Sequence, residues 1–257
     1  MLRPILVTLV LLCAPSVCAA EKVVKETFGS GGRIRTYYVF VSDKARASGS
    51  APLLVLLHGS GRDGRSLIDK WEPLAKKEGI ILVAPDALNR QGWHMRDDGP
   101  DFFYALVEMV RIQLDADPRR LFLFGHSAGA IHSLAMALLE SEYFAGVAVH
   151  AGALTADHAP FMDRAPRKIP ISIWVGTNDP LFPLPAVRAT RDALNSRGFS
   201  SELIEIKGHT HWYYDRAPEI NKDAWTFLQK ARLAEDPKYQ LYEIPKQGAA
   251  PRPSTRS

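Results

Sequence analysis

A serine near the middle of the chain stands at the spacing Gly-x-Ser-x-Gly. The segment GHSAG spans residues 125–129, follows an apolar run at residues 121–124 and precedes a helical pattern at residues 130–140. A serine on a tight turn between a strand and a helix has a strained backbone that lifts its hydroxyl above the sheet, and small neighbours leave the room this turn requires. The pattern therefore predicts that Ser127 is a nucleophile, with a chance match in a small-residue turn as the alternative.

The elements that must position this serine alternate between strand and helix patterns. Residues 33–42 alternate and favour an early antiparallel strand, with residues 22–27 as its partner. Further strand patterns, mostly continuous apolar runs, occur at residues 52–57, 80–84, 121–124, 146–150, 171–175 and 202–206. Helical spacing occurs at residues 66–78, 100–114, 130–140, 185–197 and 219–233. This alternation predicts an α/β fold with about eight strands in a mostly parallel sheet, flanked by helices and without a large cap domain.

The two ends of the chain differ from the region between them. Residues 1–20 combine an early arginine, a short apolar run and small residues before position 21, which is typical of a secretory signal peptide and too short for a stable membrane span. We expect cleavage near Ala20 and a secreted or periplasmic protein, with an uncleaved anchor as the alternative. Residues 21–244 predict one α/β domain, in which residues 155–170 form the longest loop. Residues 245–257 have the composition of a disordered tail.

Composition excludes several other classes of protein. The 257 residues are 46% hydrophobic and 23% charged, as expected of one globular core. Both cysteines, Cys13 and Cys18, lie in the predicted signal peptide, so the mature chain has no thiol for a disulfide, a nucleophile or a thiolate metal site. The formal charge of +4 is interspersed along the chain, and we therefore expect no nucleic-acid partner.

The order of these elements resembles the α/β-hydrolase superfamily, in which an acid and a histidine follow the serine on loops at the carboxyl ends of later strands. The resemblance implies that Asp179, which follows residues 171–175, orients the base, with capping of the turn before Pro180 as the alternative. Only His209 and His211 follow Asp179 in the chain. We favour His211 as the base, because the family often places a glycine between strand end and base, and His209 is the alternative. A His-x-His metal pair is disfavoured, since the chain supplies no further ligands at the usual spacing.

The same resemblance implies two backbone donors for an oxyanion. One is the N–H of Ala128, directly after the serine. The other is the N–H of Ser60, because residues 58–61 read HGSG and match the family's His-Gly-x signature. A plain glycine-rich turn is the alternative for this second segment.

A closer resemblance, over most of the chain, is to the secreted polyhydroxybutyrate depolymerases and feruloyl esterases. It rests on DDGPDFF at residues 97–103, on DPRR leading into GHSAG, and on YFAGVA at residues 143–148. It implies a carboxylic-ester hydrolase that acts on small-molecule or polymeric esters through a Ser-Asp-His triad and an acyl-enzyme, without cofactor or metal. A serine peptidase of the same fold and an inactive hydrolase-like binding protein are the alternatives. Trp93, Trp212 and Tyr213 are candidates for substrate contact, with core packing as their alternative.

Overall fold

Eight strands form one sheet in the computed structural model, which describes residues 21–243 and 252–253. In chain order they are β1 (Val24–Ser30), β2 (Arg33–Phe40), β3 (Ala51–Leu57), β4 (Ile81–Pro85), β5 (Ala116–His126), β6 (Gly146–His150), β7 (Ile171–Gly176) and β8 (Ser201–Ile206). Across the sheet the order is β1-β2-β4-β3-β5-β6-β7-β8. β1 and β2 pair antiparallel with their neighbours, whereas the strands from β4 to β8 pair in parallel. The predicted α/β fold with a mostly parallel sheet is confirmed.

Helices cover both faces of this sheet. They are α1 (Asp43–Ser48), α2 (Gly64–Glu78), α3 (Pro100–Gln113), α4 (Ala128–Leu139), α5 (Ala159–Arg164), α6 (Leu184–Asn195) and α7 (Ala217–Leu228). Helices α2 and α7 pack on one face, and α3, α4 and α6 pack on the other. The sheet is therefore the middle layer of three, and its carboxyl edge lies between the two helical layers.

Burial on both faces explains why the parallel strands have continuous apolar sequences. All seven residues of β3 are buried. Their side chains alternate between the two cores: Leu53 and Val55 contact the cluster that includes α3 and α4, while Leu54 and Leu56 contact the cluster of α2 and α7. A strand with both faces covered has no polar face, so the period-two pattern of a half-exposed strand is lost.

The structure departs from the predicted elements at several places. Helix α1 has a single buried residue, Ala45, and so lacks the repeated apolar positions that indicate a helix. Residues 155–170, predicted to be a loop, contain a 3₁₀ turn at Ala156–His158 and helix α5. Strand β5 begins at Ala116, before the predicted apolar run at residues 121–124. The sequence pattern did not indicate this earlier start, because the first residues of the strand are mostly polar. Among them, the carboxylate of Asp117 accepts a hydrogen bond from Nε of Arg120 at 2.8 Å.

Two predictions about the chain ends concern residues that lie mostly outside the described ranges. The signal peptide at residues 1–20 lies wholly outside them. The tail at residues 245–257 does too, except for Arg252–Pro253 (β10), which pairs antiparallel with Tyr242–Glu243 (β9). Within the described part of the chain, none of the helices combines the length and the apolar character needed to cross a membrane.

The segment that follows α7 buries a carboxyl group at the end of α4. Glu140 is 2% exposed; its Oε2 accepts the N–H of Gln240 at 3.1 Å, and its Oε1 has no partner among the described residues. Burial, with smaller contributions from the carboxylates of Asp101 and Glu142, raises the pKa of Glu140 to about 9. Glu140 is therefore uncharged at neutral pH.

This buried acid makes stability depend on pH. The unfolded chain releases the proton of Glu140 near the ordinary pKa of 4.5, whereas the folded protein retains it to about 9. The free energy of unfolding should therefore fall as the pH rises through this interval. Urea titrations of wild type and Glu140→Gln should show the variant gaining relative stability with rising pH, by up to about 1.4 kcal/mol per pH unit.

Glu142→Gln is the matched control, because Glu142 lies close by but is only half-buried. Its stability relative to wild type should change little over the same pH interval. A difference between wild type and Glu140→Gln that stays constant with pH would contradict the assignment.

Candidate active site

Ser127 lies on the turn between β5 and α4, in a strained backbone conformation. Its φ and ψ are 57° and −119°, in the region that L-residues rarely adopt. The Ser127 N–H donates to the carbonyl of His150 at 3.0 Å, which ties the turn to the end of β6. A Cβ on Gly125 would lie 2.2 Å from the Gly129 carbonyl oxygen, and one on Gly129 would lie 2.0 Å from the Leu57 oxygen. The two glycines of the motif are thus required by contact between backbones.

Ser127, His211 and Asp179 form one continuous line of hydrogen bonds. The Ser127 hydroxyl lies 2.9 Å from Nε2 of His211, and Nδ1 of His211 lies 2.9 Å from Oδ2 of Asp179. Asp179 is 6% exposed, and its other oxygen accepts the N–H groups of Leu181 and Phe182 at 2.8 and 3.0 Å. Because both carboxylate oxygens have donors, the acid is held in one orientation. Nδ1 of His211 then carries the proton, and Nε2 is free to accept one from the serine.

The loop that carries His211 rests directly on the loop that carries Asp179. A Cβ on Gly176, at the end of β7, would lie 2.1 Å from the His209 carbonyl oxygen. That oxygen accepts the N–H of Asn178 at 2.9 Å, and the Gly208 N–H donates to Oγ1 of Thr177 at 2.8 Å. The sequence interpretation did not single out Gly176, although a glycine between a strand and an acidic loop is the signal that marks such close approach.

The structure separates the two histidines that the sequence left as alternatives. Nε2 of His209 lies 3.2 Å from Nε2 of His150, and the His209 side chain is buried. His211 is the histidine that contacts both Ser127 and Asp179. Geometry therefore favours His211 as the base of this site.

The two predicted backbone donors flank the serine. Ala128 is the first residue of α4, so its N–H has no acceptor within the helix. Residue Ser60 follows Gly59, where an added Cβ would lie 3.3 Å from the Cβ of Ser127. Neither the Ser60 nor the Ala128 N–H has a hydrogen-bond acceptor among the described residues. Both amides thus lack an internal acceptor and belong to segments that adjoin Ser127.

Burial corrects the prediction of substrate contact for two of three aromatic residues. Trp93 is 9% exposed and donates from Nε1 to the His58 carbonyl at 2.8 Å, so its ring packs behind the loop. Tyr213 is fully buried, and its hydroxyl donates to Oδ1 of Asn221. Trp212 is 44% exposed and is the one of the three whose side chain lies largely at the surface.

Two side chains near the site were not singled out from the sequence. The ring of Phe182 stacks on the His211 imidazole, with ring centres 5.6 Å apart and an interplanar angle of 10°. The guanidinium of Arg62 lies 4.8 Å from the centre of the Trp212 ring. Phe182 thus packs on the ring of His211, and Arg62 packs on the exposed tryptophan.

Over the described ranges 21–243 and 252–253, no group of three or more His, Cys, Asp or Glu residues is placed to hold a metal ion. The relay of hydrogen bonds from Ser127 through His211 to Asp179 can support nucleophilic attack and proton transfer with the chain's own groups.

Comparison with known proteins identifies the class to which this fold and site belong. The sequence pattern of the alpha/beta hydrolase family matches residues 54–253, which is most of the chain. The protein belongs to the alpha/beta hydrolase family.

Individual relatives are more distant. The chain is 29% identical over 166 residues to the protein named "Putative esterase NocK" of Nocardia uniformis subsp. tsuyamanensis, a match that covers 59% of this chain and 47% of that protein. The chain thus spans about half the length of this relative. Two solved structures share the fold. One is a ferulic acid esterase, with 16% identity and a TM-score of 0.68, covering 81% of this chain and 98% of that one. The other is S-formylglutathione hydrolase (FrmB) from Staphylococcus aureus, with 14% identity and a TM-score of 0.70, covering 80% of this chain and 98% of that one.

The close approach at the turn provides a test of the local fold. Gly129→Ala places a methyl group where the Leu57 oxygen lies, so the variant should lose about 2–3 kcal/mol of stability or fail to fold. Gly29→Ala is the control, since no atom lies within 4 Å of the added carbon. Thermal unfolding distinguishes them. Equal melting temperatures for the two variants would show that the turn is not packed as described.

Proposed function

We propose that this protein is a secreted or periplasmic carboxylic-ester hydrolase that forms an acyl-enzyme on Ser127. The observation that carries the proposal is the relay of two 2.9 Å contacts from the Ser127 hydroxyl through His211 to Asp179. A serine hydroxyl is a weak nucleophile unless a neighbouring base accepts its proton, and this arrangement supplies that base in a fixed tautomer.

The proposed reaction follows from the positions of these groups. The Ser127 oxygen attacks the ester carbonyl while Nε2 of His211 accepts its proton. The negative charge that develops on the carbonyl oxygen is stabilised by the N–H groups of Ser60 and Ala128. His211 returns the proton to the leaving alcohol, and water then repeats the sequence to release the acid. Asp179 stabilises the imidazolium formed at each step.

Esters are favoured over peptides as substrates. The same relay would serve a serine peptidase, but NocK and the ferulic acid esterase are both named as esterases. The exposed ring of Trp212 and the exposed side chain of Leu181, two residues after Asp179, offer apolar surface to an acyl or aryl group beside the site. A panel of p-nitrophenyl esters of increasing length, with methyl ferulate, acetylated xylan and peptide anilides, would identify the class.

Export is proposed from residues 1–20, whose pattern is that of a signal peptide. Intact-mass measurement of exported protein should give an N-terminus near Glu21. A mass that retains residues 1–20 would mean an anchored protein instead.

Removal of the nucleophile should abolish activity without unfolding the protein. Ser127→Ala should reduce kcat for ester hydrolysis by at least about 10³-fold, because no acyl-enzyme forms. A fluorophosphonate should label wild type at one serine and leave the variant unlabelled. Persistent labelling of Ser127→Ala, or near-normal turnover, would exclude Ser127 as the nucleophile.

The two histidines of the loop should differ sharply in their effect on kcat. His211→Ala should match Ser127→Ala in severity, and the double variant should be no worse than either, because the members of a relay act as a unit. His209→Ala is the matched comparison, two residues away, and should retain measurable turnover. Reversed severities would make His209 the base; survival of both variants would refute the triad.

A further inference from the structure

Three buried histidines form a chain beside the proposed triad. The Nδ1 atoms of His126 and His150 are 3.1 Å apart, and the Nε2 atoms of His150 and His209 are 3.2 Å apart. The three side chains are 4%, 0% and 7% exposed. They come from the turn before the serine, from the end of β6 and from the loop of the base. The chain therefore links the segments that carry Ser127 and His211.

The middle residue has both ring nitrogens occupied. A neutral imidazole offers one N–H and one lone pair, so His150 donates to one neighbour and accepts from the other. The proton arrangement can run in either direction, and in both directions three neutral rings satisfy both contacts. The His150 carbonyl also accepts the N–H of Ser127, so its backbone and its ring contact the same turn. His150 thus fixes the turn from two sides.

The surroundings keep these rings uncharged. Burial is the largest cause in each case: it lowers the pKa of His126 to about 3, that of His150 well below its usual range, and that of His209 in the same direction. The charged or titratable groups near His126 are Asp179, His211 and Arg62. Outside the three histidines, the group near His150 is His211. Those near His209 are Arg216, Asp179, Asp215 and His211. The rings of Tyr213 and Tyr214 also pack on His126. The carboxylates oppose the downward shifts but do not outweigh burial.

His126 lies directly against the base. Its ring centre is 5.0 Å from that of His211, at an interplanar angle of 36°. His211 becomes positively charged when it accepts the proton of Ser127, and a second positive imidazole at this distance would oppose that charge. A neutral His126 is therefore a condition for efficient proton transfer.

We propose that the chain His126–His150–His209 is a positioning device for the base, which ties the loop of His211 to the turn of Ser127. His150 is the central positioning residue and contacts no reacting atom. This inference rests on the proposed function, since it assigns the chain a role in the proton transfer of that reaction.

Two substitutions at His150 separate positioning from simple packing. His150→Gln retains one donor and one acceptor and cannot be protonated, whereas His150→Leu retains bulk but neither hydrogen bond. The Leu variant should lose about 10- to 100-fold in kcat with little change in KM. The Gln variant should recover most of kcat.

Other outcomes overturn the proposal. If both variants behave like wild type, or both lose kcat equally, the chain is packing alone. If His150→Leu fails to fold, the same comparison with His209→Leu and His209→Gln tests the other end of the chain. Nitrogen NMR of the imidazoles in Ser127→Ala should find each of the three rings in one fixed tautomer at neutral pH, with the pKa of each ring below the usual value of histidine; ordinary titration near the usual pKa of histidine refutes the proposal.

Failure of the proposed function gives a different result. In that case Ser127→Ala would retain ester hydrolysis or wild type would have none, whatever the His150 variants do. The NMR measurement does not depend on turnover, and so it tests the neutral chain even then.

Discussion

The close approach of backbones around Ser127 is the constraint on which the rest of the site depends. The turn is strained, and it persists because Gly125 and Gly129 let the start of α4 press against the end of β3, where even one methyl group would overlap the Leu57 oxygen. The same contact brings the Gly59–Ser60 segment to the serine. The positions of Ser127 and of both candidate oxyanion donors are therefore consequences of one packing arrangement between β3, β5 and α4.

A second close approach completes the site on the other side. Gly176 allows the loop after β8 to lie on the loop after β7, where the Asn178 N–H donates to the His209 carbonyl, so that the loops of Asp179 and His211 are held together. Asp179 then has a full set of donors, and Phe182, three residues on, stacks on the imidazole of His211. Orientation of the imidazole is thus built into the contact between two loops and does not rely on solvent-exposed interactions.

Burial has opposite effects on the polar groups of this protein. It keeps Glu140 protonated at neutral pH and keeps His126 and His150 unprotonated, because in both cases a charge would lie in an apolar interior. Ion pairs at the surface, such as Arg188 with Glu205, remain charged and exposed. The histidines near His211 are therefore neutral packing and hydrogen-bonding groups, which leaves the proposed proton transfer to His211.

The sequence by itself determined the layered fold and the serine turn, because both follow from local rules. Apolar runs between helical patterns specify strands buried on both faces, and Gly-x-Ser-x-Gly specifies a turn through sterics within five residues. Only the tertiary structure decided which of His209 and His211 meets the serine, 84 residues away, and that Trp93 and Tyr213 are buried while Trp212 is exposed. Those outcomes depend on which loops and layers meet across the sheet, and periodicity along the chain carries no information about such contacts.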